Sequence, residues 1–279
     1  MSEFEVGEEL EDYTIVAHNY AEESENKMHS DGVAEEFGFK GGLVPGVAIY
    51  AYMTVPIAKA LGAEWIERGA MTGKFIKPVY HEEPVRVVSK VSGTDPLRIT
   101  ISVLNENDTL CAVGEASLPD SHPPVHITDY PWVAMPETKL ACTAESIPDD
   151  TPMGSINYTI DFPQQHGEFE PFLDEVRDSL PLYTGDDPVI HPAFIAAKAN
   201  QLLVENVDLG PWIHTASDVR HHSLPDPGEK VTLQGYAAHS YNKRGHDITV
   251  LNLASIGEHD QVLQHLSHTA IINPATKDG

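Results

Sequence analysis

Two long apolar segments dominate the hydrophobic pattern of the chain, and shorter segments of alternating apolar and polar residues follow each of them. The first apolar segment runs from Leu43 to Ala63, and the second starts at Ile190. Each contains an early proline, Pro45 or Pro192, which is favoured at a helix start because its missing N–H would be unpaired there. The pattern predicts one long buried helix in each half. Prolines and a lysine within the first segment argue against a membrane span.

The alternating segments have the two-residue period of strands that bury one face. In the first half they cover 85–91, 98–104 and 110–116, and in the second half 230–236, 247–253 and 262–271. Turn-forming residues separate consecutive segments, as expected for antiparallel strands joined in sequence. A buried face needs a cover, which the long helix supplies. We therefore predict an α+β fold in which each half has a curved antiparallel sheet wrapped around a central helix.

The two halves also resemble each other in sequence. Three pairs of residues are each separated by 147 positions, namely Pro45 and Pro192, Trp65 and Trp212, and Pro78 and Pro225. A common offset for such infrequent residues indicates an internal duplication. A proline-rich segment without periodicity lies between the halves. We predict an N-terminal unit at 1–122, a linker at 123–152 and a C-terminal unit at 153–279.

The charge of the chain restricts its partners. It has 43 acidic and 17 basic residues, for a formal net charge of −26. This charge repels nucleic acids and anionic membranes, so we expect neither as a partner. The first thirty residues show no basic stretch followed by an apolar one, which favours a cytoplasmic protein.

Neither the cysteines nor the histidines have the spacing of a metal site. Cys111 and Cys142 are the only cysteines, and we expect both to be reduced thiols. None of the 15 histidines has a metal-binding spacing on a predicted helix. We therefore expect no metal and no other cofactor.

The segment from Tyr20 to Gly46 resembles the MaoC-like, (R)-specific enoyl-CoA hydratase and dehydratase family of hot-dog proteins. Residues that match the family pattern in order are Asn26, His29, Asp31, Gly38, Phe39, Gly41 and Gly46. The resemblance implies a double hot-dog fold and a role in fatty acid metabolism. It also implies a catalytic pair, an aspartate five residues before a histidine. The histidine here is His29, and Ser24 occupies the position of the aspartate.

His29 is the candidate acid and base, because its near-neutral pKa suits proton transfer beside a thioester carbonyl. A loop histidine bonded to backbone is the alternative. Asn26 and Ser24 are candidates for orienting His29 or a water, or they act only in turns. Asp31 either replaces the missing carboxylate or caps a helix at Gly32.

Further candidates would bind substrate. Gly41, Gly42 and Gly46 lie at the predicted helix start, where a backbone N–H could stabilise negative charge on the thioester oxygen. In the second unit the candidates for the acyl pocket are Tyr183, His191 and Asn200. The basic cluster Lys243, Arg244 and His246 could bind phosphates, or be a solvated hairpin tip. Trp65 and Trp212 are expected in the core.

The leading functional hypothesis is a hydratase or dehydratase that acts on 2-enoyl or 3-hydroxyacyl thioesters of CoA or acyl carrier protein. Two alternatives remain open. One is an acyl-CoA thioesterase, and the other is a non-catalytic acyl-thioester binding protein, since a serine replaces the expected aspartate. A duplicated chain already contains the pair of units that single-unit relatives form by association, so either a monomeric pseudo-dimer or a homodimer is expected.

Overall fold

A computed structural model describes residues 4–161 and 168–276. The strands are β1 (Tyr13–Val16), β2 (Ala70–Phe75), β3 (Pro84–Thr94), β4 (Leu97–Asn105), β5 (Leu110–Leu118), β6 (Leu140–Ala141), β7 (Thr151–Thr159), β8 (Val207–Asp208), β9 (Ile213–His221), β10 (Lys230–Lys243), β11 (His246–Ile256) and β12 (Val262–Asn273). The α-helices are α1 (Asp31–Glu36), α2 (Gly46–Arg68), α3 (Phe169–Val176), α4 (Pro181–Thr184) and α5 (Pro192–Asn206). Short 3-10 helices cover Lys27–His29 and Ile127–Asp129.

Ten strands form one antiparallel sheet in the order β1-β3-β4-β5-β2-β9-β12-β11-β10-β7. The order of the second five strands mirrors that of the first five. β2 and β9 pair at the centre, with Gly73 opposite Ser217. The sheet is therefore built from two five-stranded halves related by a pseudo-twofold axis, which confirms the predicted α+β class and double hot-dog architecture.

Helices α2 and α5 are the two predicted core helices. Pro45 precedes α2 as its N-cap, and Pro192 is the first residue of α5. The residues of α2 from Val47 to Ala58 are all buried. This helix is long and apolar enough to cross a membrane, but 67% of its most apolar 18-residue window is buried inside the protein. It is the central helix around which the first half of the sheet curves.

The two tryptophans of the repeat do not occupy equivalent positions, so that part of the internal alignment is wrong. Trp65 lies in the last turns of α2, whereas α5 ends at Asn206 and Trp212 lies in the connection to β9. The second helix is shorter because Asn206 ends it with side-chain hydrogen bonds to the carbonyls of Leu202 and Gly154. Trp212 therefore has different neighbours from Trp65.

All six strands predicted from alternation are present, as β3, β4, β5, β10, β11 and β12, whereas β1, β2, β6, β7, β8 and β9 were not predicted. The inward positions of β9 include His214, Ser217 and His221, which are buried although polar. A strand with polar residues on its buried face lacks the alternation that reveals strands in a sequence. The two strands that join the halves, β2 and β9, could therefore not be predicted from alternation in the sequence.

Candidate functional site

A cavity of about 220 Å³ lies where the N-terminus of α2 meets the start of β9. Residues from both halves line it. The polar ones are Asn26, His29, Gly46, Lys77, Asn200, His214 and Thr215. The apolar ones are Met28, Phe39, Leu43, Val44, Pro45, Ile49, Phe75, Ile76, Pro78, Val79, Trp212, Ile213 and Ile271. A mostly apolar cavity with a few convergent polar groups is typical of a small-molecule site.

Both ring nitrogens of His29 have hydrogen-bond partners. Nδ1 lies 2.7 Å from the carbonyl oxygen of Leu43, and Nε2 lies 3.2 Å from Nδ2 of Asn26. No carboxylate in the described part of the chain bonds this ring. His29 therefore differs from a histidine paired with an aspartate, and its environment is set by a backbone carbonyl and an amide.

The contacts of Asn26 fix which nitrogen of His29 carries the proton. Oδ1 of Asn26 accepts from the backbone N–H of Trp212 at 3.1 Å, and Nδ2 donates to the carbonyl oxygen of Trp212 at 3.0 Å. Because Trp212 offers one donor and one acceptor, the amide has only one favourable orientation. Nδ2 must then donate to His29, so Nε2 holds the lone pair and Nδ1 donates to Leu43.

Burial lowers the pKa of His29, and the hydrogen bond to Leu43 opposes this shift. A lowered pKa keeps the imidazole neutral at neutral pH, with a lone pair on Nε2. The ring is thus in the basic form. The 3.2 Å contact from Asn26 is long for a hydrogen bond, so a water or substrate hydroxyl could compete for Nε2.

The N-terminus of α2 forms another wall of the cavity. Its N-cap, Pro45, offers no side-chain acceptor to the first N–H groups of the helix. Gly46 is required by space, because a β-carbon there would lie 2.9 Å from both Phe75 Cε2 and His214 Nδ1. Unbonded N–H groups at a helix N-terminus favour negative charge. The N–H of Gly46 is therefore the candidate donor to a thioester oxygen.

Gly42, the other candidate donor, is already engaged. Its N–H donates to Oδ1 of Asp31 at 2.8 Å, and neither residue lines the cavity. Asp31 is the first residue of α1, and it holds the glycine loop instead of approaching His29. The idea that Asp31 replaces the missing carboxylate is therefore wrong in this geometry. The backbone at Gly42 is also closely packed, because a β-carbon there would lie only 2.0 Å from the carbonyl oxygen of His29.

The cavity thus contains Asn26, His29, Gly46 and Asn200 of the candidates from the sequence. The structure places the remaining candidates outside its lining, namely Ser24, Asp31, Gly41, Gly42, Tyr183, His191, Lys243, Arg244 and His246. The hydroxyl of Ser24 donates to the carbonyl oxygen of Asn26 at 3.5 Å, and its carbonyl oxygen accepts from Nζ of Lys27 at 2.9 Å. Lys243 and Arg244 are exposed at the tip of the β10–β11 hairpin.

His191 has a structural environment at the start of α5. Its Nδ1 accepts from the N–H of Ala193 at 3.0 Å, and its Nε2 lies 3.2 Å from Oδ2 of Asp178. The side chains of His191 and Asp178 are 0% and 3% exposed, and the ring of Tyr183 packs on the histidine. The pair caps the helix inside the core, so His191 and Tyr183 do not contact the cavity as proposed from the sequence.

One exposed lysine lines the cavity, and two others are next to lining residues in the sequence. Lys77 lines it, and Lys27 and Lys40 are neighbours in sequence of the lining residues Met28 and Phe39. In a chain with a net charge of −26, these lysines provide local positive charge that can attract an anionic ligand. No group of three His, Cys, Asp or Glu side chains in residues 4–161 and 168–276 is arranged to hold a metal ion.

The sequence drew attention to His214 and Trp212, but it gave no role in the site to His214, to Lys77 or to the backbone of Trp212. His214 follows the Trp-Ile pair of the second unit, but its place in the cavity depends on the pairing of β9 with β2. The contact of Asn26 with Trp212 joins residues 186 positions apart. No local pattern in the sequence could reveal it.

Comparison with known proteins adds evidence on the fold. No protein-family model and no curated protein matches the sequence. Among solved structures, a protein from Chloroflexus aurantiacus described as a MaoC domain dehydratase is 12% identical, with a TM-score of 0.65, over 98% of this chain and 96% of that one. RV0216 from Mycobacterium tuberculosis, a double hot-dog protein, is 11% identical, with a TM-score of 0.62, over 96% of each chain.

Thioesterases are also similar. A protein from Lactobacillus plantarum described as an oleoyl thioesterase is 12% identical, with a TM-score of 0.50, over 96% of this chain and 98% of that one. At such identities the similarity concerns the fold, and one fold can carry several activities. The resemblance to MaoC-like proteins noted in the sequence is confirmed at that level. The chain has the double hot-dog fold found in MaoC-like dehydratases.

Proposed function

We propose that the protein hydrates 2-enoyl thioesters, or dehydrates 3-hydroxyacyl thioesters, of CoA or acyl carrier protein. The observation that carries the proposal is a neutral His29 in an apolar cavity beside the N-terminus of α2. This arrangement supplies a base and a site for negative charge within one small volume. Both are needed for adding water next to a thioester carbonyl.

In this mechanism Nε2 of His29 takes a proton from water as the water oxygen bonds to C3 of the enoyl group. The electrons of the double bond move toward the carbonyl, and the N–H of Gly46 stabilises the enolate oxygen. The imidazolium then returns the proton to C2, which completes the addition of water. The carbonyl of Leu43, bonded to Nδ1–H, stabilises the positive ring in the absence of a carboxylate partner.

The cavity and its surroundings suit an acyl thioester. Apolar side chains from both halves can enclose the acyl group, and Lys77 with the neighbouring lysines can attract the phosphates of the carrier. The phosphates of the carrier are therefore proposed to contact Lys77 and its neighbouring lysines, and not Lys243, Arg244 and His246. The hairpin tip has the exposure of a solvated turn.

The test is turnover of 2-enoyl-CoA substrates of increasing chain length by the wild-type protein and His29→Ala. Hydration is followed by the loss of conjugated-thioester absorbance, and released thiol is measured in parallel. We expect His29→Ala to reduce hydration by roughly 100-fold or more, the usual contribution of a general base. His239→Ala, at an exposed histidine on β10, is the matched control and should retain wild-type rates.

Three outcomes would contradict the proposal. Unchanged hydration in His29→Ala would exclude this residue as the base. Thiol release without hydration would indicate a thioesterase, the activity by which one structurally similar protein is described. Tight binding of acyl-CoA without any turnover would indicate a binding protein, consistent with Ser24 where the family has an aspartate.

A further inference from the structure

The part of the cavity formed by the second half contains two polar atoms without a partner. Nδ1 of His214 and Oδ1 of Asn200 are both buried, and neither forms a hydrogen bond in the described part of the chain. His214 belongs to β9 and Asn200 to α5, and both residues line the cavity. Their surroundings include Ile49 and Ile271, which cannot offer a hydrogen bond.

Both atoms are hydrogen-bond acceptors. Nε2 of His214 lies 3.1 Å from the carbonyl oxygen of Ala216 and 2.9 Å from Oγ of Ser217. A carbonyl oxygen only accepts, so Nε2 carries the proton and Nδ1 holds the lone pair. Burial lowers the pKa of His214 to about 4, so the ring remains neutral at neutral pH. The Oδ1 atom of Asn200 is an acceptor by its chemistry.

The orientation of His214 is fixed independently of any ligand. Its ring stacks on that of His268 with the centroids 4.2 Å apart, and it packs edge-on against Phe75 at 4.9 Å. The hydrogen bond to Ala216 sets its rotation. An acceptor that is held in place before a ligand arrives loses little freedom on binding, which favours recognition of a matching donor.

An unpaired buried acceptor is unfavourable, and folded proteins leave few of them. Of the buried side-chain atoms without a partner in the described residues, these two are the ones on residues that line the cavity, and a ligand that donates a hydrogen bond would satisfy them. We propose that the acyl group bound here carries a hydroxyl group beyond C3, which donates to His214 Nδ1 or Asn200 Oδ1. The inference rests on the proposed acyl-thioester function and adds a substrate class to it.

A hydroxyl group suits the site better than a carboxylate. An ionised carboxylate has no proton to donate, and two acceptors would repel it. Burying a negative charge among apolar side chains is also unfavourable. A purely alkyl acyl group would fill the space but leave both acceptors unpaired. A site built to bond a hydroxyl rejects the analogue that lacks it.

The test compares binding of saturated acyl-CoA ligands of equal length, which cannot be hydrated, and released thiol is measured to exclude hydrolysis. Hexanoyl-CoA is compared with its 4-, 5- and 6-hydroxy derivatives by calorimetry, because the position of the hydroxyl along the chain is what the cavity selects. We expect at least one hydroxy derivative to bind about tenfold more tightly than hexanoyl-CoA, the usual effect of one hydrogen bond.

Two variants test which atoms are responsible. Asn200→Leu and His214→Phe remove one acceptor each. We expect the variant that lacks the bonded acceptor to lose the hydroxyl preference while hexanoyl-CoA still binds, and a preference kept by both variants would overturn the inference. Gln201→Leu on the exposed side of α5 and His239→Phe on β10 are matched controls that should keep the wild-type preference. Having two variants guards against misfolding of either one, and the wild-type comparison needs no variant.

Equal binding of the four ligands, or tighter binding of hexanoyl-CoA, would overturn the inference. Absence of binding by all four would overturn it as well, since the cavity would then not be an acyl site. Failure of the proposed hydratase function gives a different result. In that case the hydroxyl preference persists in the binding assay, while no enoyl-CoA is hydrated.

Discussion

Asn26 is expected to hold the two halves of the protein together at the cavity. Its side chain bonds the N–H and the carbonyl of Trp212, at 3.1 and 3.0 Å, and the N–H of Met28 at 3.2 Å. Trp212 is only 5% exposed. The substitution Asn26→Ala removes all of these bonds at once and leaves the backbone groups of Trp212 without their partner.

The magnitude follows from those unpaired groups. Leaving one buried polar group unsatisfied costs about 1 to 3 kcal/mol. Partial access of water to the loop places each Trp212 group near the lower end of this range. The free energy of unfolding should therefore fall by about 2 to 3 kcal/mol, which lowers the Tm by roughly 5 to 10 °C in a protein of this size.

Urea unfolding followed by fluorescence measures this change, since Trp212 itself lies at the affected contact. Asn157→Ala is the matched control, because Asn157 is exposed and accepts a hydrogen bond from exposed Thr232. That control should stay within about 0.5 kcal/mol of wild type, as surface substitutions usually do. If Asn26→Ala also stays within this range, the bonds to Trp212 do not stabilise the contact.

Asn26→Asp tests the hydrogen-bond assignment at His29. The aspartate retains acceptors for the N–H groups of Trp212 and Met28, but a carboxylate oxygen replaces the donor to Nε2 of His29 and to the carbonyl oxygen of Trp212. A nearby negative charge favours protonated imidazole, so the pKa of His29 should rise, opposite to the effect of burial. An NMR titration of the ring measures it. An unchanged or lower pKa would contradict the hydrogen-bond assignment.

Two other consequences are open to measurement. Burial, more than the nearby His122 and His222, lowers the pKa of His221 to about 3. Below its unfolded pKa of about 6.5 only the unfolded chain takes up this proton, so stability is lost as the pH falls from about 6.5 toward 3. We expect His221→Phe to lose less stability than the wild type on acidification, by about 1.4 kcal/mol per pH unit. Urea unfolding at pH 6 and pH 5 measures this difference. If the free energy of unfolding changes equally with pH in both proteins, His221 is not a buried neutral histidine. At the cavity, Gly46→Ala should lower the hydration rate strongly but change the stability little. The added β-carbon would lie 2.9 Å from His214 and Phe75, whereas alanine is a better helix former than glycine. Steady-state kinetics and thermal unfolding of the variant measure the two effects. An unchanged kcat/KM would show that the rings of His214 and Phe75 move aside without affecting the reaction.

Much of the fold could be predicted because its signals are local. The apolar segments of the core helices and the two-residue period of six strands are read within each segment, and prolines mark the helix starts. β2 and β9 lack a clear period, since Gly73 and Ser217 meet at the central pair and polar side chains face inward from β9. Their position at the centre of the sheet depends on pairing between segments that are distant in the sequence.

The sequence alone determined the duplicated α+β architecture and singled out His29 and Gly46, because helix-start chemistry and a short motif are encoded in neighbouring residues. Tertiary structure alone decided what surrounds them. It brought Trp212 to Asn26 and His214 to Gly46, and it assigned Asp31 to the glycine loop instead of to His29. The physical reason is that the cavity forms between the halves, where the association of β2 with β9 decides which side chains meet.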